Sequence, residues 1–228
     1  MKFSKETLAT LKNLASINSG IVLHKGNFIM TRSVNGATYA EVNIPEEIDV
    51  DLAIYDLNAF LSILSLADEN SEISLNVNGD VLIKSARSEI NWPSADPSTI
   101  VTPKKAIQFP PAFVEFDITS EDFGKVMRVS RGLGADTLEI KSEKGNIVIN
   151  AYNKNADTKL SKPLYTFIVS EYKDDKEFNF VLNILNMKML NDNYKVKLWA
   201  QNEMFASKFE SENVSYVLAV ESESNHKF

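Results

Sequence analysis

Apolar residues recur along this chain in two rhythms. One has the three-to-four-residue spacing of an amphipathic helix, and the other the two-residue alternation of a half-buried strand. The helical rhythm predicts four helices. Ser4 can cap the first, which runs to about Ile17 and buries Leu8, Leu11, Leu14 and Ala15. Asp56 can cap the second, through about Leu66, with Leu57, Phe60, Leu61 and Leu64 inward. Thr119 or Ser120 can cap the third, through Leu133, with Phe123, Val126, Met127 and Ser130 on its core side and Gly132 and Gly134 as its stop. The fourth is predicted around Val181–Leu190.

Runs of alternation lie between the helices. They predict strands at Gly20–Leu23, Phe28–Arg32, Thr38–Ile44, Val50–Tyr55, Glu72–Val77, Val81–Ser85 and Glu89–Trp92. A second set covers Val114–Ile118, Thr137–Ser142, Asn146–Tyr152, Leu164–Ser170, Glu177–Phe180, Tyr194–Ala200, Met204–Glu210 and Ser215–Glu221, before a polar tail at Ser222–Phe228. Asn35-Gly36, Asn78-Gly79 and Lys144-Gly145 are turn chemistry between neighbouring runs. A short apolar run, a helix and then strands follow one another four times, so the order of elements repeats without residue identity. Five of the seven prolines lie between Pro93 and Pro111. Proline neither donates to a ladder nor continues a helix, so this stretch reads as an extended connector. The expected fold is α+β: an N-terminal domain over 1–103, a connector over 104–113 and a C-terminal domain over 114–228. Each domain is expected to pack two helices on antiparallel sheet.

Charge changes the picture. The 228 residues carry 24 Lys and Arg against 31 Asp and Glu, a formal net charge of -7. A simple basic nucleic-acid binder would be positive, so any such binding must be local. The predicted helices supply that locality. Their acids, Glu6, Asp56, Glu121 and Asp122, all sit at the cap or in the first turn, where the helix dipole favours them. Past the first turn the charged residues are only bases. The bases of all four spans are Lys5, Lys12, Lys125, Arg128, Arg131 and Lys188. Each is an ordinary helix-surface residue taken singly. The absence of any later glutamate, a good helix former, is what calls for a cause. On one shared surface these bases would meet phosphates without reading bases, and no aromatics interleave for stacking on single strands.

Other chemistries find little support. There is no cysteine, hence no disulfide or thiolate site. His24 and His226 fall in a predicted turn and a predicted tail, without a serine or acidic partner at motif spacing. No GxxxxGK[ST] loop and no strand followed by GxGxxG occurs. The chain is expected to be no enzyme and to need no metal or cofactor. No apolar run is long enough to span a bilayer, and the first residues lack a signal-peptide apolar region. Ile107, Phe109 and Phe113 in the connector either pin it to the domains or leave a groove for a partner peptide. Ser88–Trp92 runs into proline and Leu164–Ser170 follows one, so both are predicted sheet edges that another subunit could cover.

Several strings resemble the DNA polymerase sliding clamps of T-even-type bacteriophages: Leu11–Ile21, Phe28–Glu41, Ala53–Leu66, Trp92–Val101, Val126–Leu133 and Asn193–Ala200, with Gln108–Pro110 in the connector. Asp157–Lys162 and Gln201–Ala206 resemble that family less. The resemblance implies the DNA clamp fold and a closed homotrimeric ring around duplex DNA. It implies tethering of the replicative polymerase by its C-terminal peptide, loading by a clamp-loader ATPase, support of phage late transcription, and a place in the cytoplasm of the infected host. Carried onto this chain, Lys5, Lys12, Lys125, Arg128, Arg131 and Lys188 would face DNA. Trp92, Leu164 and Phe167 would lie at the subunit interface. Tyr39, Ile107, Phe109, Tyr216 and Leu218 would form the peptide pocket. The rival from the residues alone is a peptide-binding adaptor that never encircles DNA.

Overall fold

The computed structural model describes residues 1–68 and 71–227. The chain divides into two compact units, Met1–Ile107 and Gln108–Phe228.

In the first unit α1 (Lys5–Ile17) begins where Ser4 accepts a hydrogen bond from the Thr7 N–H at 3.1 Å. The cap is reinforced from outside the helix: the Glu46 carboxylate accepts from Ser4 N and Thr7 Oγ1. β1 (Ile21–Leu23), β2 (Gly26–Arg32), β3 (Thr38–Ile48) and β4 (Leu52–Ile54) follow, with β1 paired to β4 and β2 to β3. Asp56 caps α2 (Leu57–Leu66), accepting from the Ala59 N–H at 2.9 Å. A three-stranded antiparallel sheet, β5 (Glu72–Leu75), β6 (Val81–Lys84) and β7 (Glu89–Trp92), completes the unit.

The proline-rich stretch is less extended than its composition predicts. Pro97–Thr99 forms a 3-10 turn capped by Asp96. Ile100 is buried with Val22, Ala53 and Ala95, and Asn18 Nδ2 donates to the Val101 carbonyl at 2.8 Å. Apolar burial and one side-chain amide thus tie down the half of this stretch that proline alone would leave loose.

In the second unit β8 (Val114–Ile118) leads into α3 (Ser120–Gly132). β9 (Thr137–Glu143), β10 (Asn146–Tyr152), β11 (Tyr165–Glu171) and β12 (Glu177–Asn183) form one antiparallel sheet, in the order β11-β10-β9-β12. β13 (Tyr194–Gln201), β14 (Met204–Glu210) and β15 (Val214–Leu218) pair in series, and β8 flanks β13. Phe123, Val126 and Met187 meet Leu138, Ile149 and Phe209 in the core.

Two expectations are corrected here. Val181–Leu190 is not a helix. Val181 and Leu182 stay in β12, opposite Glu139 and Leu138 of β9. A single 3-10 turn, Ile184–Asn186, follows, capped by Asn183 through the Leu185 N–H. Tertiary partners take the groups a helix would use, since Ile184 N donates to the Asp136 carbonyl and Met187 O accepts from Arg131. The described chain therefore has three α-helices, two in the first unit and one in the second. The tail is not frayed either. β16 (Asn225–Lys227) pairs with β12, Ser224 Oγ accepts from Val181 N at 2.9 Å, and Lys227 pairs with Glu177. Phe228, the last residue of the predicted tail, lies outside the described residues.

No helix of the described residues is long and apolar enough to cross a membrane. No group of three or more His, Cys, Asp and Glu among them could hold a metal ion.

Candidate nucleic-acid interface

α3 owes its position to its ends. Thr119 caps it reciprocally with Asp122: the Thr119 hydroxyl accepts from Asp122 N at 3.1 Å and donates to Asp122 Oδ2 at 2.9 Å. At the other end Gly134 adopts φ +71. Gly134 N donates to Arg131 O and Ala135 N to Ser130 O, the Schellman pattern that only a residue tolerant of positive φ closes without strain. With both ends fixed, Phe123, Val126, Met127 and Ser130 turn inward. The Phe123 ring packs edge-on to Tyr194 at 5.2 Å. Lys125, Arg128 and Arg131 are then left exposed.

The same logic sets α1. Thr7, Thr10, Leu11, Leu14, Ala15 and Ile17 are buried, while Lys5 and Lys12 are exposed. α2 carries no charged residue. Between the two helices lies a cleft of about 330 Å³, lined by Leu8, Lys12, Asn58, Leu61 and Ser62 among others. Lys188 follows the 3-10 turn instead of riding on a helix. It is exposed and adjoins Met187, whose carbonyl takes a 3.3 Å hydrogen bond from Arg131 Nη2. The predicted helix is absent, yet the fold still brings Lys188 beside the end of α3.

Lys5, Lys12, Lys125, Arg128 and Arg131 make no ion pair among the described residues. Some strand and turn bases are paired, although, among the described residues, Arg32 on β2 and Lys195 on β13 are not. Lys141 lies 3.5 Å from Glu139 and 3.6 Å from Glu143, Lys208 lies 3.1 Å from Glu210, and Lys154 pairs with Glu223. The carboxylate of Glu223 holds the Lys154 ammonium pKa above its ordinary value. Among the described residues, acids thus neutralise several strand and turn bases and none of the bases on α1 and α3.

The remaining sequence-derived residues scatter. Trp92 is half-buried at the end of edge strand β7, its ring edge-on to Phe60 at 5.6 Å, so its side chain packs within its own unit. β11 is the other predicted edge and lies at the end of its sheet. It carries Phe167, half-buried, and follows Leu164, which is 47% exposed; Ile168 at 61% is more open than either. Of the pocket residues, Tyr39 and Ile107 belong to the first unit and meet there. The Ile107 backbone reaches the Tyr39 hydroxyl, which donates to Glu41 Oε2 at 2.8 Å. Burial first, and then the Glu41 carboxylate, hold the Tyr39 hydroxyl pKa above its ordinary value. Ile107 is exposed and Phe109 half-buried. Tyr216 and Leu218 are corrections. At 0% and 1% exposure they are core residues of the second unit and offer no open surface. The Tyr216 hydroxyl accepts from Leu190 N at 3.2 Å, and burial pushes its pKa up to about 12. The resemblance placed these residues in the pocket, and no pattern along β15 tells how deeply they are buried.

Known proteins show the same two-part organisation. The model of the DNA polymerase processivity factor family matches residues 4–102, and that of the gp45 sliding clamp C-terminal family matches residues 115–222. The sliding clamp of Escherichia phage RB69 is 54% identical over 228 residues, covering all of both chains. The chain belongs to the phage sliding-clamp family. The sliding clamp of Enterobacteria phage T4 is 52% identical over the same full length. That of Vibrio phage KVP40 is 29% identical over 97% of this chain and 99% of its own. The fold extends further. Proliferating cellular nuclear antigen from Entamoeba histolytica superposes with a TM-score of 0.67 at 16% identity, covering 94% of each chain. A structure described as the C-terminal region of FEN-1 bound to A. fulgidus PCNA superposes at 0.66 with the same identity and coverage. The clamp is thus a processivity factor for DNA polymerase with the PCNA-like mixed α/β fold, and DNA and a polymerase are its partners.

Proposed function

We propose that this clamp acts by topology alone, as a closed homotrimeric ring around duplex DNA, without enzymatic activity. The observation that carries the reading is the uncompensated set Lys5, Lys12, Lys125, Arg128 and Arg131 on an otherwise acidic chain. Each chain brings a net charge of -7, so three together repel DNA except where acids are missing. Phosphate contacts from such bases are sequence-independent and weak one by one. Weak contacts suit a ring, because a ring cannot leave sideways and must still slide. Lys188 joins this face beside Arg131.

In this reading the edge strands β7 and β11, with Trp92, Leu164 and Phe167, meet between subunits, and pairing there removes two exposed edges. Residues 104–113 connect the domains 1–103 and 114–228. The polymerase C-terminal peptide docks on the first unit beside Tyr39 and Ile107. An ATP-driven clamp loader loads the ring, the clamp also supports late transcription, and all of this takes place in the cytoplasm of the infected host.

The test is retention on DNA. Protein loaded on a nicked circular duplex stays bound, and one restriction cut releases it quickly by sliding off the ends. Equal retention on circle and line would contradict the topological mechanism. Light scattering that finds only monomer at every accessible concentration would favour a peptide-binding adaptor.

A further inference from the structure

Glycine is the poorest helix former after proline. α3 nevertheless carries Gly124 in its interior, and the residue is buried. A Cβ there would lie 2.6 Å from Asn191 Oδ1, 3.2 Å from Asn191 Cγ and 3.0 Å from Arg128 Nη1. The missing methyl group is therefore a notch in the helix surface. Two side chains converge on it: a carboxamide from the segment before β13 and a guanidinium from the next turn of α3. Both residues are exposed. Arg128 makes no ion pair, and the Asn191 side chain makes no hydrogen bond among the described residues. The neighbouring acids are engaged elsewhere. Asp192 accepts from Ser211 Oγ at 2.6 Å and from Asn193 N at 2.8 Å, and Asp122 is held by Thr119. Asn191 Oδ1 is turned to the helix, which leaves Nδ2 to donate.

We infer that Gly124, Arg128 and Asn191 form one phosphate-binding notch, in which the guanidinium and the carboxamide donate together to a single phosphodiester of duplex DNA. The inference rests on reading α3 as DNA-facing. A guanidinium is planar, weakly hydrated and permanently charged, which suits a phosphate. The amide adds a second donor without a second charge, so the contact gains direction while staying weak enough to break as the ring moves. Gly124 touches no ligand atom and is a positioning residue. Its lack of a side chain lets the two donors lie together.

The experiment titrates full-length protein into a labelled duplex oligonucleotide by fluorescence anisotropy across a salt series, with melting temperatures run alongside. Arg128→Ala is expected to lower the log–log salt slope by about 0.9, the value of one phosphate contact, for each subunit that touches the duplex. Gly124→Ala should reproduce that loss with Arg128 still present, at an unchanged or raised melting temperature, because alanine favours the helix. The double variant should bind no more weakly than Arg128→Ala alone. Asn191→Ala removes only an exposed, unbonded side chain and is expected to weaken binding several-fold with the slope unchanged. Wild-type binding by Gly124→Ala, or an additive double variant, would overturn the notch. Should Gly124→Ala fail to fold, wild-type binding by Asn191→Ala overturns it alone. The reversal Lys125→Glu/Arg128→Glu/Arg131→Glu separates the two readings. If it leaves binding intact, α3 does not face DNA and the notch falls with it. If it abolishes binding while Gly124→Ala and Asn191→Ala bind normally, only the notch is wrong.

Discussion

α3 and the strands of its own unit carry the same kind of residue to opposite ends. Lys141 on β9 and Lys197 and Lys208 on β13 and β14 sit against Glu139, Glu143 and Glu210. Lys125, Arg128 and Arg131 on α3 have no carboxylate within ion-pair distance among the described residues. Surface ion pairs contribute little to stability, so pairing the strand lysines is a weak device for holding the fold. Its larger effect is on the field: Lys141, Lys197 and Lys208 are neutralised where they stand, and Lys125, Arg128 and Arg131 are not. A chain whose sum is acidic can therefore still present one positive face, and net charge alone misjudges what it binds.

Reversing all three bases of α3 to glutamate should have the largest effect. Retention on nicked circular DNA is expected to fall on the order of 10–100-fold, with the circular dichroism spectrum unchanged, because all three residues are exposed and, among the described residues, only Arg131 gives up a hydrogen bond, to the Met187 carbonyl. Next comes the converse on the strand side. Lys141→Ala leaves the buried Glu139 carboxylate with only Tyr152 and Asn150, which donate to it at 2.9 and 3.0 Å. Denaturant titration should show a loss of about 1–3 kcal/mol while DNA retention is untouched. A DNA defect in that variant would break the comparison. Gly134→Ala forces a side chain into positive φ at the end of α3, and a melting experiment should read about 1 kcal/mol of lost stability.

The smallest effect is a pH dependence. Partial burial pushes the Glu46 carboxyl up, but the donors Thr7 and Ser4 outweigh it and hold the group below its ordinary pKa. A depressed folded-state pKa stabilises above the unfolded carboxylate range, and that stability is lost as pH falls through the folded value. Glu46→Gln should therefore melt earlier than wild type at neutral pH, by about 0.5–1 kcal/mol. The two should converge in acid. A gap that persists or widens as pH falls would show that Glu46 is not the anionic cap of α1.

How much of this was legible depended on range. The three α-helices were, because Ser4, Asp56 and Thr119 each stand one residue before the helix they cap. Their charge split was too, since a position along a helix is also a position in sequence. The apolar run after Val181 was ambiguous by itself, and β9, some forty residues away, decided in favour of a strand. The tail strand depends on Glu177 and on Val181, and no local pattern announces either. Tyr216 and Leu218 came from the resemblance, and alternation along a strand gives a face without its depth, so their burial was not legible. The Glu46 cap was invisible for the same reason of distance. Gly124 did leave a signal, a glycine inside an otherwise well-formed helix, but its meaning needed Asn191, which only the fold brings near.

One measurement addresses the central contrast most directly. The log–log salt slope of duplex binding is compared for two triple-alanine variants: Lys125, Arg128 and Arg131 on α3, and Lys141, Lys197 and Lys208 on the strands. The helix variant should show a slope shallower by about 2.7 for each subunit that touches the duplex, and the strand variant wild-type behaviour. Equal slopes for the two, or a shallower slope only in the strand variant, would contradict that contrast.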